Sequence, residues 1–337
     1  MTEKINTTPS VFLITVFILG NSVINLPFTK YGGNALLGYI LSVLIGIVYI
    51  FFCYRAAKIN KDSNSYFYKV FLGFFIIYCI FCGLICTRNF ITFSDKVILP
   101  EVSSFLPSLL FLISLYFLSS VKKEVIIKTA LISGLIITVI LLLLFIISIS
   151  NMKFSNIIIK DEISLGKILY ECSSYFGLSF SQSIILMPFF MNTNLKTPKN
   201  TYIKGFLLGS FLLLVSFLQC ILIFGYNLAS TLLNPYASAI SITTLGNSYT
   251  RLEGFSYFIY FASSLIKTAI CLRVSVDLSE KINSKIKNII LPVSLIIYAV
   301  FCALTDTLKN IEYIKIMPFL IIPPLIILTV LNIKKKI

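Results

Sequence analysis

Gly20, Asn21, Ser22 and Asn25 fall in a run of apolar residues that closes on Leu26-Pro27, and Gly177, Ser179, Ser181 and Gln182 fall in a second that continues to Pro188. Small polar side chains beside glycine and proline interrupt a hydrophobic helix. The interruption leaves amide N–H groups at the start of one half and carbonyls at the end of the other, which a bilayer tolerates only where they line a protein cavity. The N–H end favours an anion such as a carboxylate, and the carbonyl end favours a cation or an ammonium group. An α-amino acid presents both charges at about the required separation. A plainer reading stands beside this one: the serines and the glutamine bond back to their own helix, and the segments are merely kinked.

Charges inside apolar segments are costly and usually face the interior. Arg88 lies toward the outer end of the third segment and Glu171 toward the outer end of the sixth. On the same side, they could pair and close an outer vestibule, or Arg88 could reach out to the headgroups. Lys267 lies about two turns from the inner end of the eighth segment. Its ammonium could reach the carbonyls freed by the first break and stand where a co-transported cation would bind, or it could snorkel to the inner surface. These three are gate or ion-site candidates.

Other chemistry is poorly provided for. The chain has no histidine, its thirteen acids lie mostly in polar connections, and it shows no phosphate-binding loop and no acid pair at catalytic spacing. An enzyme is not expected, nor a cofactor. The eight cysteines, Cys53, Cys79, Cys82, Cys86, Cys172, Cys220, Cys271 and Cys302, lie in or beside apolar segments. Cys79 and Cys82 form C-x-x-C with Cys86 continuing their face, but without loop placement this reads as packing, and no metal is expected.

The elements that must position these residues are membrane helices. Apolar residues make up 58% of the chain, the mean hydropathy is +0.96, and runs such as Thr129 to Ser148 are long enough to cross a bilayer. Spans are expected near 11–28, 36–54, 67–93, 104–119, 126–148, 166–190, 202–226, 255–274, 288–304 and 315–332. The chain is therefore read as an all-α integral membrane protein of about ten helices. It forms a single transmembrane domain over 1–337, with a first repeat over about 11–148 and a second over about 166–332. The two-fold likeness rests on the paired breaks and the five-plus-five count, since no repeat is visible in the letters.

The formal charge of +15 would suit nucleic acid, but its placement does not. With the N-terminus inside, seventeen lysines and arginines fall in cytoplasmic segments against eight in outer ones, from Lys4, Arg55 and Lys122 to Lys334–Lys336. That is a positive-inside signal with both termini cytoplasmic. Thr8-Pro9 reads as a helix start, and the first apolar run is read as retained rather than cleaved. Gly205 and Gly209 read as close helix packing. The 227–253 connection is either a surface loop or, from Asn234-Pro235-Tyr236 onward, a short helix across the outer mouth.

The order of these features resembles the spore-germination permease family, the membrane-embedded B subunits of endospore germinant receptors, within the amino acid–polyamine–organocation transporter superfamily. The resemblance covers essentially the whole chain. It runs through Gly20 to Leu26-Pro27, Arg88-Asn89-Phe90, Leu99-Pro100-Glu101, Phe176-Gly177 with Pro188, Lys199 and Lys204, Asn234-Pro235-Tyr236, and Tyr249-Thr250-Arg251-Leu252-Glu253. The chain departs from the family in Gly32-Gly33-Asn34-Ala35, where Asp and Trp are common, and in Leu178-Ser179 after the sixth-segment glycine, where an acid is common. The resemblance implies a LeuT-like five-plus-five inverted repeat with broken helices 1 and 6. It implies a germinant, commonly an amino acid, bound between those helices in the spore inner membrane, with receptor A and C subunits as partners and ion release as the consequence. An ion-coupled amino-acid permease of the same fold is the alternative. A ligand-gated conducting subunit would call for an acidic ring that the spans lack.

Overall fold

The computed structural model describes residues 3–5, 7–23, 26, 33–57, 66–98, 105–157, 163–190, 193–195, 198–232, 234–243, 252–303 and 322–326. Its helices follow the apolar runs: α1 (Thr7–Ser22), α2 (Asn34–Ala57), α3 (Tyr66–Phe93), α4 (Phe105–Ser120) and α5 (Lys123–Ile147) in the first half. The second half holds α6 (Leu165–Tyr175), α7 (Leu186–Phe190), α8 (Pro198–Thr231), α9 (Pro235–Ile242), α10 (Glu253–Ile282) and α11 (Ser284–Ala303). Six helices among the described residues are long and apolar enough to cross a membrane, and Thr7–Gly20 and Phe105–Ser120 are shorter apolar helices. The expected span over 315–332 lies largely outside the described residues, of which 322–326 are helical.

Burial sorts the helices into core and rim. Leu13, Ile14 and every residue from Val16 to Leu19 are fully buried, so α1 is covered on all sides, as expected of a helix apolar all round. It is surrounded by α8, α10 and α5, while α10 also packs along α3. By contrast α4 exposes Leu109, Ile113 and Phe117, and α5 exposes Ile132, Leu135, Val139, Leu143 and Ile146. Such a continuous apolar surface suits lipid and not water.

Small residues set the closest contacts. A Cβ on Gly205 of α8 would lie 2.6 Å from Cβ of Ile14, and one on Gly209 would lie 3.1 Å from Cβ of Ile18. The expected small-xxx-small packing is therefore present, and it is made against α1. Thr15 adds a hydrogen bond from Oγ1 to the Gly205 carbonyl at 3.2 Å.

Two features were not anticipated. Helix α8 is kinked at Gly225, whose φ of 72° and ψ of 169° interrupt the helical bonding. The Leu222 carbonyl, left without its partner four residues on, accepts from the Lys153 amide at 2.9 Å and from Asn156 Nδ2 at 3.0 Å. The connection between α5 and α6 is thereby tied to the kink. At the other side of the bundle a short strand, β1 (Glu3–Ile5), pairs in parallel with β2 (Thr193–Leu195), with Glu3 opposite Thr193. This pairing joins the chain just before α1 to the chain just after α7.

The Asn234-Pro235-Tyr236 stretch does form a helix. In α9 Pro235 occupies the first turn, and Pro235, Tyr236, Ala237, Ala239 and Ile240 are buried. It packs on α8 and α10, held by Asn151 Nδ2 donating to the Ile242 carbonyl at 3.2 Å.

Candidate functional site

The two interrupted segments take different forms. Helix α1 runs to Ser22, and Val23 still donates to the Leu19 carbonyl at 3.1 Å. Pro27 and Asn25 lie outside the described residues, as does the side chain of Asn21. The sixth segment changes winding without leaving the helical region. After α6, Phe176–Phe180 form a π turn in which the Ser181 amide donates to the Phe176 carbonyl, and Ser181–Ile185 then tighten to 3₁₀. Single π turns of this kind are frequent at functional sites. Pro188 in α7 has no N–H to give to the carbonyl of Ile184, consistent with a segment that does not recover regular α winding.

Buried polar atoms around these interruptions divide into two groups. Ser181 Oγ donates to the Gly177 carbonyl at 2.9 Å, and Ser183 Oγ donates to the Phe180 carbonyl at 2.6 Å. For these serines the plainer reading holds, since the hydroxyl proton of each is spent on its own helix. The carbonyl of Ser181 accepts from the Tyr49 hydroxyl of α2 at 2.8 Å. The second group has no hydrogen-bond partner among the described residues: Ser22 Oγ, Gln182 Oε1, Ser264 Oγ and Lys267 Nζ. Ser22, Gln182 and Lys267 are each 1% exposed. They come from the end of α1, the 3₁₀ turn and α10, elements that pack on one another. Buried polar groups are nearly always paired in folded proteins, so this unpaired set between the end of α1, the 3₁₀ turn and α10 is a candidate site. Gly177 and Ser179 are buried in the π turn.

Lys267 does lie beside Gly20, which is still within the helical winding of α1. A Cβ on Gly20 would run into Cδ of Lys267, so the glycine makes room for the lysine stem. The ammonium stands 5.2 Å from the centroid of the Phe17 ring. It does not bond the Gly20 carbonyl as expected. Ser263 Oγ lies 3.3 Å from that carbonyl, while its shorter hydrogen bond, 2.6 Å, goes to the Ile259 carbonyl of its own helix.

Arg88 and Glu171 do not pair. Arg88 lies 5.5 Å from the centroid of the Phe301 ring of α11, whereas Glu171 packs against Gly38 of α2, and neither Glu171 oxygen has a partner among the described residues. They project from α3 and α6 toward different neighbours. Sequence reasoning also missed Ser263 and Ser264, whose signal is their position one turn before Lys267. It missed a charged cluster at helix ends as well. Lys123 Nζ meets Asp277 at 2.6 Å and Arg273 Nε meets the same carboxylate at 3.3 Å. Lys123 Nζ also donates to the Phe189 carbonyl at 3.0 Å, and Arg273 donates to the Val121 carbonyl at 3.2 Å. The cluster fastens the start of α5 and the ends of α7 and α10 together.

All eight cysteines are buried and free of disulfides, and no group of three His, Cys, Asp or Glu side chains suited to a metal occurs among the described residues.

The fold has clear counterparts among solved structures. A Na⁺-coupled sialic acid symporter in a substrate-bound outward-open state aligns over 94% of this chain and 77% of its own, with a TM-score of 0.58 at 13% identity. Mhp1, a nucleobase-cation-symport-1 family transporter closed around bromovinylhydantoin, aligns over 95% and 75%, with a TM-score of 0.58 at 11% identity. At such identities the likeness speaks for the fold, which is that of the LeuT-like transporters with interrupted first and sixth helices. A search of curated protein sequences gave no significant match. A family model described as "Spore germination protein" matches residues 4–311.

Proposed function

The chain belongs to the spore germination protein family, and on that footing we propose that it is the membrane-embedded, germinant-sensing subunit of a spore germination receptor. The germinant is a small polar molecule, an amino acid in this reading, held between α1 and the π and 3₁₀ turns that follow α6. The observation that carries the reading is the unpaired set Ser22 Oγ, Gln182 Oε1, Ser264 Oγ and Lys267 Nζ, buried at the junction of the two interrupted segments. Lys267 and the side-chain acceptor of Gln182 supply complementary polarity for the two ends of a zwitterion. Asn21 and Asn25 complete the candidate set from the first segment, with Gly20, Gly177, Ser179 and Ser181 shaping the backbone. The role is binding, not catalysis.

A sensor needs two states whose balance the ligand shifts and partners read. The Lys123–Asp277–Arg273 cluster supports such a device, because it holds the inner ends of three helices closed and is built of separable ion pairs. Receptor A and C subunits are the proposed readers, in the spore inner membrane with both termini on the core side. The two five-helix repeats, about 11–148 and about 166–332, are the bodies that would move.

The second reading is an ion-coupled amino-acid permease. It is favoured by the two structural counterparts, both named as cation symporters. Against Na⁺ coupling beside Gly20 stands the Lys267 stem packed on that glycine. Co-purification and uptake separate the readings. The sensor reading expects the A and C subunits, co-expressed with this chain, to be retained through purification, and no accumulation of labelled alanine, valine or glutamine in vesicles containing this chain alone. Gradient-driven accumulation without the partners would overturn it in favour of the permease.

A further inference from the structure

Away from the paired interruptions, in the outer half of the bundle, Glu171 sits on the face of α6 that packs against α2. Its side chain is fully buried, and neither carboxyl oxygen has a hydrogen-bond partner among the described residues. Gly38 of α2 sets the close approach: a Cβ there would collide with Cβ of Glu171 and lie 3.0 Å from the Cys172 amide nitrogen. One turn on, Tyr175 shares the face of Glu171. Its ring stands edge-on to Tyr39, at 5.2 Å between centroids, and to Phe217, at 5.6 Å.

The Tyr39 hydroxyl is committed to the Ser210 carbonyl at 2.6 Å. Those of Tyr175 and Tyr226 have no partner among the described residues. Tyr226, carried just beyond the Gly225 kink, and Glu171 are both within electrostatic range of Tyr175. The titratable groups near Glu171 are thus Tyr175, one turn on, and its neighbour in sequence Cys172, while Tyr39 of α2 and Tyr226 and Cys220 of α8 lie within electrostatic range of Tyr175. Lys167, one turn earlier on α6, makes no ion pair with Glu171. An ionised carboxylate buried here would be a lone charge in a low-dielectric interior, which folded proteins avoid. Acids so placed inside membrane proteins are characteristically proton carriers.

We propose that Glu171, with the Tyr175 hydroxyl one turn along its face, is a proton-binding site. In this closed arrangement the carboxyl holds its proton. When α2, α6 and α8 part on the outer side, the carboxyl O–H bond breaks and the proton passes to entering water, directly or by way of the Tyr175 hydroxyl. The proton is then the ion whose entry and exit follow the outer opening. This holds whichever small molecule occupies the other site.

Infrared spectroscopy of the full-length protein in nanodiscs reads the site directly. The expected result is a carbonyl stretch of a protonated carboxylic acid in the native protein, slow to shift in D₂O and lost in Glu171→Gln. Tyr175→Phe should move the same band without removing it, which keeps the test alive if the glutamine variant fails to fold. A band unchanged in Glu171→Gln, a band unmoved in Tyr175→Phe, or no such band, would overturn the proposal. So would thermal stabilisation by NaCl or KCl over choline chloride at equal ionic strength that Glu171→Gln abolishes, since a metal cation would then hold the site.

Discussion

Gly20 and Lys267 are matched in shape as well as in chemistry. The lysine stem occupies the volume a side chain on residue 20 would need. Gly20→Ala should therefore destabilise the purified protein by about 1–3 kcal/mol, the usual range for overpacking. Lys267→Ala should remove most of that penalty in the double variant, and thermal unfolding of the four proteins measures the coupling. Lys267→Met keeps the stem and deletes an ammonium that has no hydrogen-bond partner among the described residues. It should leave stability equal or higher while lowering affinity for a carboxylate ligand about tenfold or more, as read by titration. Residue types were informative in the sequence, but directions were not. Arg88 and Glu171 could be placed on one side of the membrane, yet the rotation of α3 and α6 that turns one to Phe301 and the other to Gly38 leaves no trace in spacing alone. Ser181 and Gln182 are neighbours of similar polarity, and only the turn geometry decides that one hydroxyl is spent on Gly177 while the Gln182 oxygen stays unpaired.

At the scale of elements, the departures from regular α-helix are where the fold does something specific. The kink of α8 depends on Gly225, whose dihedrals are nearly closed to other residues. A Cβ there would meet nothing nearer than Asn156 Cγ at 3.8 Å, so the expense of Gly225→Ala is backbone strain of about 1–3 kcal/mol, visible as a lower Tm. Asn156→Ala, which removes one of the two donors to the freed Leu222 carbonyl, should lower stability by about 1 kcal/mol. The first and sixth segments were legible because glycine, proline and small polar residues cluster there. The form of the sixth, a π turn followed by 3₁₀, was not, because it depends on which carbonyl each amide selects. Gly225 gave no signal of its own, since single glycines are common in membrane helices. The pairing of β1 with β2 was equally hidden, being three residues long on each side and far apart in the chain.

For the molecule as a whole, Lys123, Arg273 and Asp277 tie the ends of α5, α7 and α10 together. Arg273 and Asp277 stand four apart on α10, a spacing that could have been read from the sequence, but Lys123 joins them only through the fold. Asp277→Asn should loosen that tie, raising the rate at which a soluble maleimide labels the buried Cys79 and Cys271 relative to the native protein. Unchanged labelling would mean the cluster is not a latch. The strand pairing just outside α1 and α7 ties the two interrupted segments at the same end, so they should move together. The central claim, that a small polar ligand is held between these segments, is tested most directly by thermal stabilisation of the purified protein across the common amino acids, repeated with Gln182→Leu. The account predicts an upward shift in Tm with at least one amino acid, reduced or lost in the variant. No shift with any of them, or a shift of equal size in Gln182→Leu, would contradict it.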